Sequence, residues 1–280
     1  MRIQLFSDLH LERDPTFQPL IFPDTDVVVL AGDIGSYQAR SRLPDEDFGL
    51  ARFAPQNGGA DGANRARVLY VPGNHEFDGL EYDDAYERLQ RVCAHLGIEW
   101  LDRAAIVIDG VRFIGTTLWS DFDAIAGRER DLARQLQARS KSFRAANYYL
   151  SKNTTLRKGE PVLAEGQREL SLDCQAWLRT ALAAPFDGPT VCVTHYAPSL
   201  RSADPRYGVT PGTAGFCNDM DALIPYADVW MHGHLHCAND YLVEGEVDGL
   251  ARRCRVVANP LGYANKGEQA AFRPELVIEV

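Results

Sequence analysis

Ile3-Gln4-Leu5-Phe6-Ser7-Asp8-Leu9-His10 begins as a mostly apolar run and stops in an aspartate and a histidine two residues apart. The same pattern recurs down the chain. Asp26–Ala31 runs into Gly32-Asp33, and Val68–Val71 into Pro72-Gly73-Asn74-His75. Thr190–Val193 runs into Thr194-His195, and Ala227–Met231 into His232-Gly233-His234-Leu235-His236. Short β-rich runs of this kind suit interior strands covered on both faces. Between them, apolar stripes predict helices over Glu81–Leu96 (Tyr82, Ala85, Tyr86, Leu89, Val92, Leu96) and Glu165–Ala183 (Leu170, Cys174, Trp177, Leu178, Leu182). Strands alternating with helices give a layered α/β architecture.

Working outward, Asp109-Gly110 between Ala105–Ile108 and Val111–Gly115 is a hairpin signal, with Ile98–Leu101 expected beside it. Tyr241–Val243, Arg255–Ala258 and Leu276–Val280 read as further strands. An antiparallel set joined to a more parallel set predicts two sheets packed face to face with helices outside. Pro55–Ala66 is Gly- and Ala-rich without periodicity and reads as a loop. Residues 121–160 are polar and helix-prone and read as a helical cap inserted into one domain that spans 1–280.

The chain has 280 residues, 45% of them hydrophobic and 24% charged, which excludes a disordered or fibrous protein. Its 29 Lys+Arg against 39 Asp+Glu leave a net charge of -10, the wrong sign for gripping long nucleic acid. Six cysteines without a CxxC pair read as reduced thiols in a cytoplasmic protein. Asp8 and His10 interrupt the N-terminus before a signal-peptide core forms, and aliphatic runs such as Val27–Ala31 are far too short to span a bilayer.

The polar residues at the strand ends carry the chemistry: Asp8, His10, Asp33, Asn74, His75, His195, His234 and His236. In open α/β sheets ligands collect beyond the carboxyl ends of the strands. Aspartate, asparagine and imidazole are oxygen and nitrogen donors suited to Mn, Fe, Zn or Co. Setting His75 aside, seven donors exceed the three that one catalytic ion needs; with one carboxylate shared they serve two divalent ions. Asp33, at a sharp Gly-Asp turn, is the residue best placed to bridge.

Asp8-x-His10, Gly32-Asp33, Gly73-Asn74-His75-Glu76, His195 and Gly233-His234-x-His236 resemble, in order, the calcineurin-like metallophosphoesterase pattern. The resemblance implies a four-layer αββα sandwich of two mixed β-sheets and a two-metal site. It implies that Asp8, His10 and His236 hold one ion, that Asn74, His195 and His234 hold the other, and that Asp33 bridges them. It implies that His75 stands over the site as a general acid or phosphate contact, with Asn74, His75 and Tyr196 as candidate substrate-binding residues. The expected reaction is hydrolysis of a small phosphate ester, a phosphodiester before a monoester, by a metal-bridging hydroxide.

The departures bear on substrate. Protein phosphatases of the superfamily extend the second motif to Gly-Asp-x-x-Asp-Arg-Gly, whereas Gly32-Asp33-Ile34-Gly35-Ser36-Tyr37 lacks that aspartate and arginine. Either Glu76 or Asp78 is then left to orient His75. Many relatives carry a histidine where Tyr196 stands. Asn259-Pro260-Leu261-Gly262-Tyr263 resembles a short signature of some bacterial members and is expected to shape a loop beside the site. His232 reads as a packed residue or a support for the donors. Arg128, Arg130, Arg134, Arg139, Lys141 and Arg144 against Glu129 and Asp131 make the cap locally basic, either to hold a phosphate or as a solvated helix face; Tyr148 and Tyr149 follow. Two rival functions are a nuclease and a non-catalytic scaffold of the same fold.

Overall fold

The computed structural model describes residues 1–44, 46–55, 66–152 and 155–280. Residues 56–65, most of the expected Pro55–Ala66 loop, lie outside the described residues. In chain order the structure contains β1 (Arg2–Phe6), β2 (Val27–Ala31), β3 (Arg67–Val71), α1 (Tyr82–Leu96), β4 (Glu99–Trp100), β5 (Ala104–Ile108) and β6 (Val111–Thr116). Next come α2 (Leu132–Leu150), β7 (Leu156–Arg157), β8 (Glu160–Pro161), α3 (Ala164–Ala183), β9 (Thr190–Thr194), β10 (Val229–His232), β11 (Asn239–Val247), β12 (Leu250–Ala258) and β13 (Val277–Glu279).

One sheet has the order β13-β1-β2-β3-β4, with β1 to β4 parallel and β13 antiparallel at its edge. The other runs β11-β12-β10-β9-β6-β5, a parallel centre with an antiparallel hairpin at each margin. The antiparallel pairs therefore do not form a set of their own; both sheets are mixed. Both hairpins turn on Asp-Gly pairs in left-handed backbone, Asp109 (φ 46°) with Gly110 (φ 79°) and Asp248 (φ 51°) with Gly249 (φ 77°). That geometry matches strand twist at a two-residue turn. Glu99–Trp100 pairs with β3 and not with the hairpin that follows it, because the α1 crossover returns the chain to the first sheet.

Alternation along β2 explains the layering. Val27, Val29 and Ala31 join Ile3, Leu5, Leu69 and Val71 of their own sheet and Phe113, Val191, Val193 and Met231 of the other, forming the core between the sheets. Val28 and Leu30 face the opposite way, with Val68 and Tyr70, onto Leu89 and Cys93 of α1. On the far side, Ile114, Cys192, Trp230 and Val256 pack with Leu170, Cys174 and Leu178 of α3. The order helix, sheet, sheet, helix is the four-layer sandwich. Each fully buried Val, Leu or Ile contributes about 1.5–3 kcal/mol relative to exposure. All six cysteines are free, and five are buried. No helix among the described residues is long and apolar enough to cross a membrane.

The described residues of the 121–160 stretch centre on α2, whose N-terminus Asp131 caps by accepting from Arg134 N at 2.8 Å. Phe143 meets Phe122 edge-on, and the helix rests on the turn Pro211–Gly215. Of its basic residues, Arg139 pairs with Asp123 at 2.5 Å and Arg134 with Asp131 at 3.2 Å. Tyr148 and Tyr149 are exposed.

Candidate metal centre

The seven donors converge where the carboxyl ends of both sheets meet. Asp8 and His10 follow β1, Asp33 follows β2, and Asn74 and His75 follow β3. His195 follows β9, and His234 and His236 follow β10, so the site straddles the seam between the sheets. Five of them lie in left-handed backbone: Asp8 (φ 53°), His10 (φ 48°), Asp33 (φ 54°), His234 (φ 71°) and His236 (φ 49°). Non-glycine residues there are strained by on the order of 1–3 kcal/mol each. Each such residue turns the chain sharply at a strand end, and so aims its side chain at the seam.

Two donor groups form, sharing Asp33. Asp8, His10, Asp33 and His236 bring ligand atoms within 4.8 Å of one another, and so do Asp33, His195 and His234. Asp33 Oδ2 lies 3.3 Å from His195 Nε2 and 3.9 Å from both His10 Nε2 and His75 Nε2. His10 Nε2 and His236 Nε2 face each other at 2.9 Å, and His236 Nε2 is 3.5 Å from Asp8 Oδ1. Asn74 Oδ1 is 3.2 Å from His195 Nε2, which brings it into the second group. Asp33 Oδ2 and His234 Nε2 are buried without a hydrogen-bond partner. Buried polar atoms are normally satisfied. Two orphans within one His/Asp cluster fit cations as the missing partners, and the donor set suits borderline divalent ions.

The outer nitrogens of these rings are anchored. His10 Nδ1 meets Glu12 Oε1 at 3.1 Å, His236 Nδ1 meets Glu268 Oε2 at 2.6 Å, and His195 Nδ1 meets Ala31 O at 2.8 Å. A proton held on Nδ1 leaves the Nε2 lone pair for a cation and fixes the ring plane. His75 follows the same rule, with Nδ1 2.6 Å from Asp78 Oδ2. Asp78 thus partners His75, and Glu76 does something else. Its buried carboxylate accepts from Asp33 N (3.1 Å), Ile34 N (2.7 Å) and Gly73 N (2.9 Å). It staples the Asp33 turn to the Asn74 turn. Glycine is required between these turns, since a Cβ on Gly73 would collide with the Asp33 carboxylate.

Charge in the ion-free site follows from crowding. Burial opposes ionisation of Asp33, yet the surrounding His195 and His75 hold it well below the usual carboxylate range. Burial also works against a proton on His195, but Asp33 outweighs it and raises the imidazole to about 9. His75 is raised to about 10 against burial, by Asp33 and Asp78. Burial, then repulsion from His195, keeps His234 well below the ordinary histidine value.

The other expected residues fall into place around this cluster. Tyr196 is 2% exposed; its ring centroid lies 3.9 Å from that of His234, and its hydroxyl accepts from Gln167 Nε2 at 2.9 Å. His232 is buried against Ser202 Oγ at 2.9 Å and is lowered by burial to about 4, a packed histidine. Asn259 Nδ2 donates to Leu5 O, Gly262 N to Asp8 O, and the Tyr263 ring stacks on His10 at 4.3 Å. The α2 region packs on the Pro211–Gly215 turn, beyond which the Phe216 ring lies 5.0 Å from His234. Glu12 and Glu268 were not singled out from sequence. Glu12, two residues after His10, had a spacing signal; Glu268, at 32 residues from His236, had none.

A search of solved structures finds a phosphopantetheinyl hydrolase from Mycobacterium tuberculosis at TM-score 0.62 and 19% identity, covering 96% of this chain and 92% of that one. An uncharacterised protein of Acanthamoeba polyphaga mimivirus is 22% identical over 228 residues, 76% of this chain and 74% of its own length. The family model described as calcineurin-like phosphoesterase matches residues 1–238, a span that holds all seven donors and His75. With two sheets, their seam and its His/Asp cluster in that span, the chain belongs to the calcineurin-like phosphoesterases, metal-dependent hydrolases of phosphoric esters.

Proposed function

We propose that the protein hydrolyses a small phosphodiester at two divalent ions, one held by Asp8, His10 and His236, the other by Asn74, His195 and His234, with Asp33 between them. The observation that carries this reading is Asp33 itself. It belongs to both donor groups, and its Oδ2 is buried, unpartnered and close to imidazoles of each. Bound ions would supply positive charge to the phosphoryl oxygens and acidify a water molecule.

The chain's own residues do the rest. Glu12, Glu268 and the Ala31 carbonyl keep three donor imidazoles in the tautomer with Nε2 free. Asp78 holds the Nδ1 proton of His75 and so directs Nε2 toward the cluster, where it donates a proton to the departing oxygen. Asn74 and His75, both partly exposed, face the substrate. Tyr196 acts by packing on His234, since it is buried and its hydroxyl oxygen accepts from Gln167 Nε2. A diester fits better than a monoester because the Asp33 turn carries no arginine for a dianionic phosphoryl group. Residues 1–280 act as one domain, with 121–160 as a helical insertion.

The test is a panel of mono- and diesters assayed with added Mn²⁺, alongside metal analysis of the protein. Two equivalents per chain with turnover of a diester is the expected result. Two bound equivalents with no turnover of any ester supports a scaffold instead.

A further inference from the structure

A cavity of about 510 Å³ opens beside the His10 half of the cluster, walled on one side by residues 9, 10, 13 and 14 and on the other by residues 262–266 and 269. It is large enough for a ligand of nucleotide size. His10 belongs both to this cavity and to the first donor group, so a molecule seated there abuts the Asp8/His10/His236 ion site. The floor is the Tyr263 ring, stacked on His10 at 4.3 Å and edge-on to His236 at 5.0 Å.

Two cations rim the cavity. Arg13 is exposed and forms no ion pair among the described residues; its Nη2 donates to Gln38 Oε1 at 3.1 Å. Lys266 Nζ lies 4.8 Å over the Tyr263 ring, with only a 3.9 Å approach to Glu268 Oε1, whose other oxygen serves His236. The one acid on the wall, Asp14, is turned to Thr16, accepting from its backbone N (3.2 Å) and Oγ1 (2.6 Å). The two cations outnumber the one acid on this wall, although the chain as a whole carries a net charge of -10. By contrast, Arg139 and Arg168 beside α2 are already engaged, sharing the carboxylate of Asp123.

We propose that this cavity seats the part of the ester that is not attacked, and that Arg13 and Lys266 recognise a second anionic group on it. The inference rests on the phosphoesterase function proposed above and names its substrate class: a small diester carrying a further phosphate, sulfate or carboxylate. Gln38 couples the two sites. It accepts from Arg13 and donates to Glu12 Oε1 at 3.3 Å, and Glu12 orients His10. An anion on Arg13 is therefore held in register with the His10 ring.

The experiment uses two probes with the same reacting bond: the 4-nitrophenyl ester of thymidine 5′-phosphate, and the same ester sulfated at the 3′ oxygen. Sulfate adds charge without adding a hydrolysable phosphate. Equilibrium affinity is measured on the Mn²⁺-loaded protein, and turnover in parallel. The sulfated probe should bind about tenfold more tightly, the effect of one charge-assisted contact. R13Q/K266Q should reduce that ratio to about one. Equal affinity for both probes, or a ratio unchanged in R13Q/K266Q, overturns the proposal. So does a ratio that collapses in R130Q/R134Q on the α2 side instead. Binding discrimination without any turnover of either probe separates the two readings: the cavity assignment survives and the hydrolase assignment fails.

Discussion

Glu76 accepts the backbone N–H of Asp33 at 3.1 Å, although 43 residues separate them. Its other bonds go to Ile34 N and Gly73 N, so one buried carboxylate sets the spacing between the turn that presents Asp33 and the turn that presents Asn74 and His75. Glu76→Gln keeps the volume but replaces one acceptor oxygen with an amide that faces N–H donors. It should destabilise the protein by about 1–3 kcal/mol and weaken metal retention. Thermal melting and metal content after dialysis are the measurements. A variant that matches the parent in both would show that the staple has no influence on the site.

Asp33→Asn removes charge from the residue shared by both donor groups. Turnover should fall by at least about 10²-fold, with less than the parent's metal retained. Full activity with two ions bound would remove Asp33 from the bridging position.

His75→Asn should leave metal content intact and lower kcat by about 10²–10⁴-fold, the range for a lost general acid. Asp78→Asn should reproduce part of that loss, about tenfold or more, without displacing metal. Because the acid matters most for a poor leaving group, both variants should hydrolyse a 4-nitrophenyl ester relatively better than an alkyl ester. An equal loss on both esters would argue against proton donation by His75.

Metal binding should release protons. In the ion-free protein His195 is raised to about 9, with burial opposing the charge and Asp33 restoring it. A raised value means the ring is protonated at neutral pH, and an ion must displace that proton to reach Nε2. Apparent affinity should therefore climb as pH rises toward about 9 and level off above it. Proton uptake or release is read by titrating Mn²⁺ into weakly buffered protein. Binding at neutral pH with no proton released would exclude His195 as a donor.

Much of the architecture was legible because β2 and its neighbours are fully buried, which makes them continuous apolar runs, and because each run stops at a polar turn. The same turns put the donors on the page, and the structure brings Asp8, His10, Asp33, Asn74, His195, His234 and His236 into one cluster. Strand partnership was less legible. Glu99–Trp100 is only a two-residue strand, and nothing local says that it returns to β3. Tyr241–Val243 and Arg255–Ala258 are only parts of β11 and β12, because Asp240, Glu244, Glu246, Arg252 and Arg253 interrupt the apolar pattern, although Asp248-Gly249 marks the turn that joins the two strands. Supports such as Glu268 come from distant segments and become visible only when the chain is folded.

The left-handed turns at Asp8, His10, Asp33, His234 and His236 set backbone comfort against side-chain function. Glycine would relax each φ, but at Asp8 and Asp33 it would also remove the carboxylates that accept the backbone N–H groups of His234 and His75, both at 2.9 Å. The turns at the strand ends are therefore tied to one another by the same side chains that make up the cluster, so the site cannot be emptied of its acids without loosening the frame that carries it.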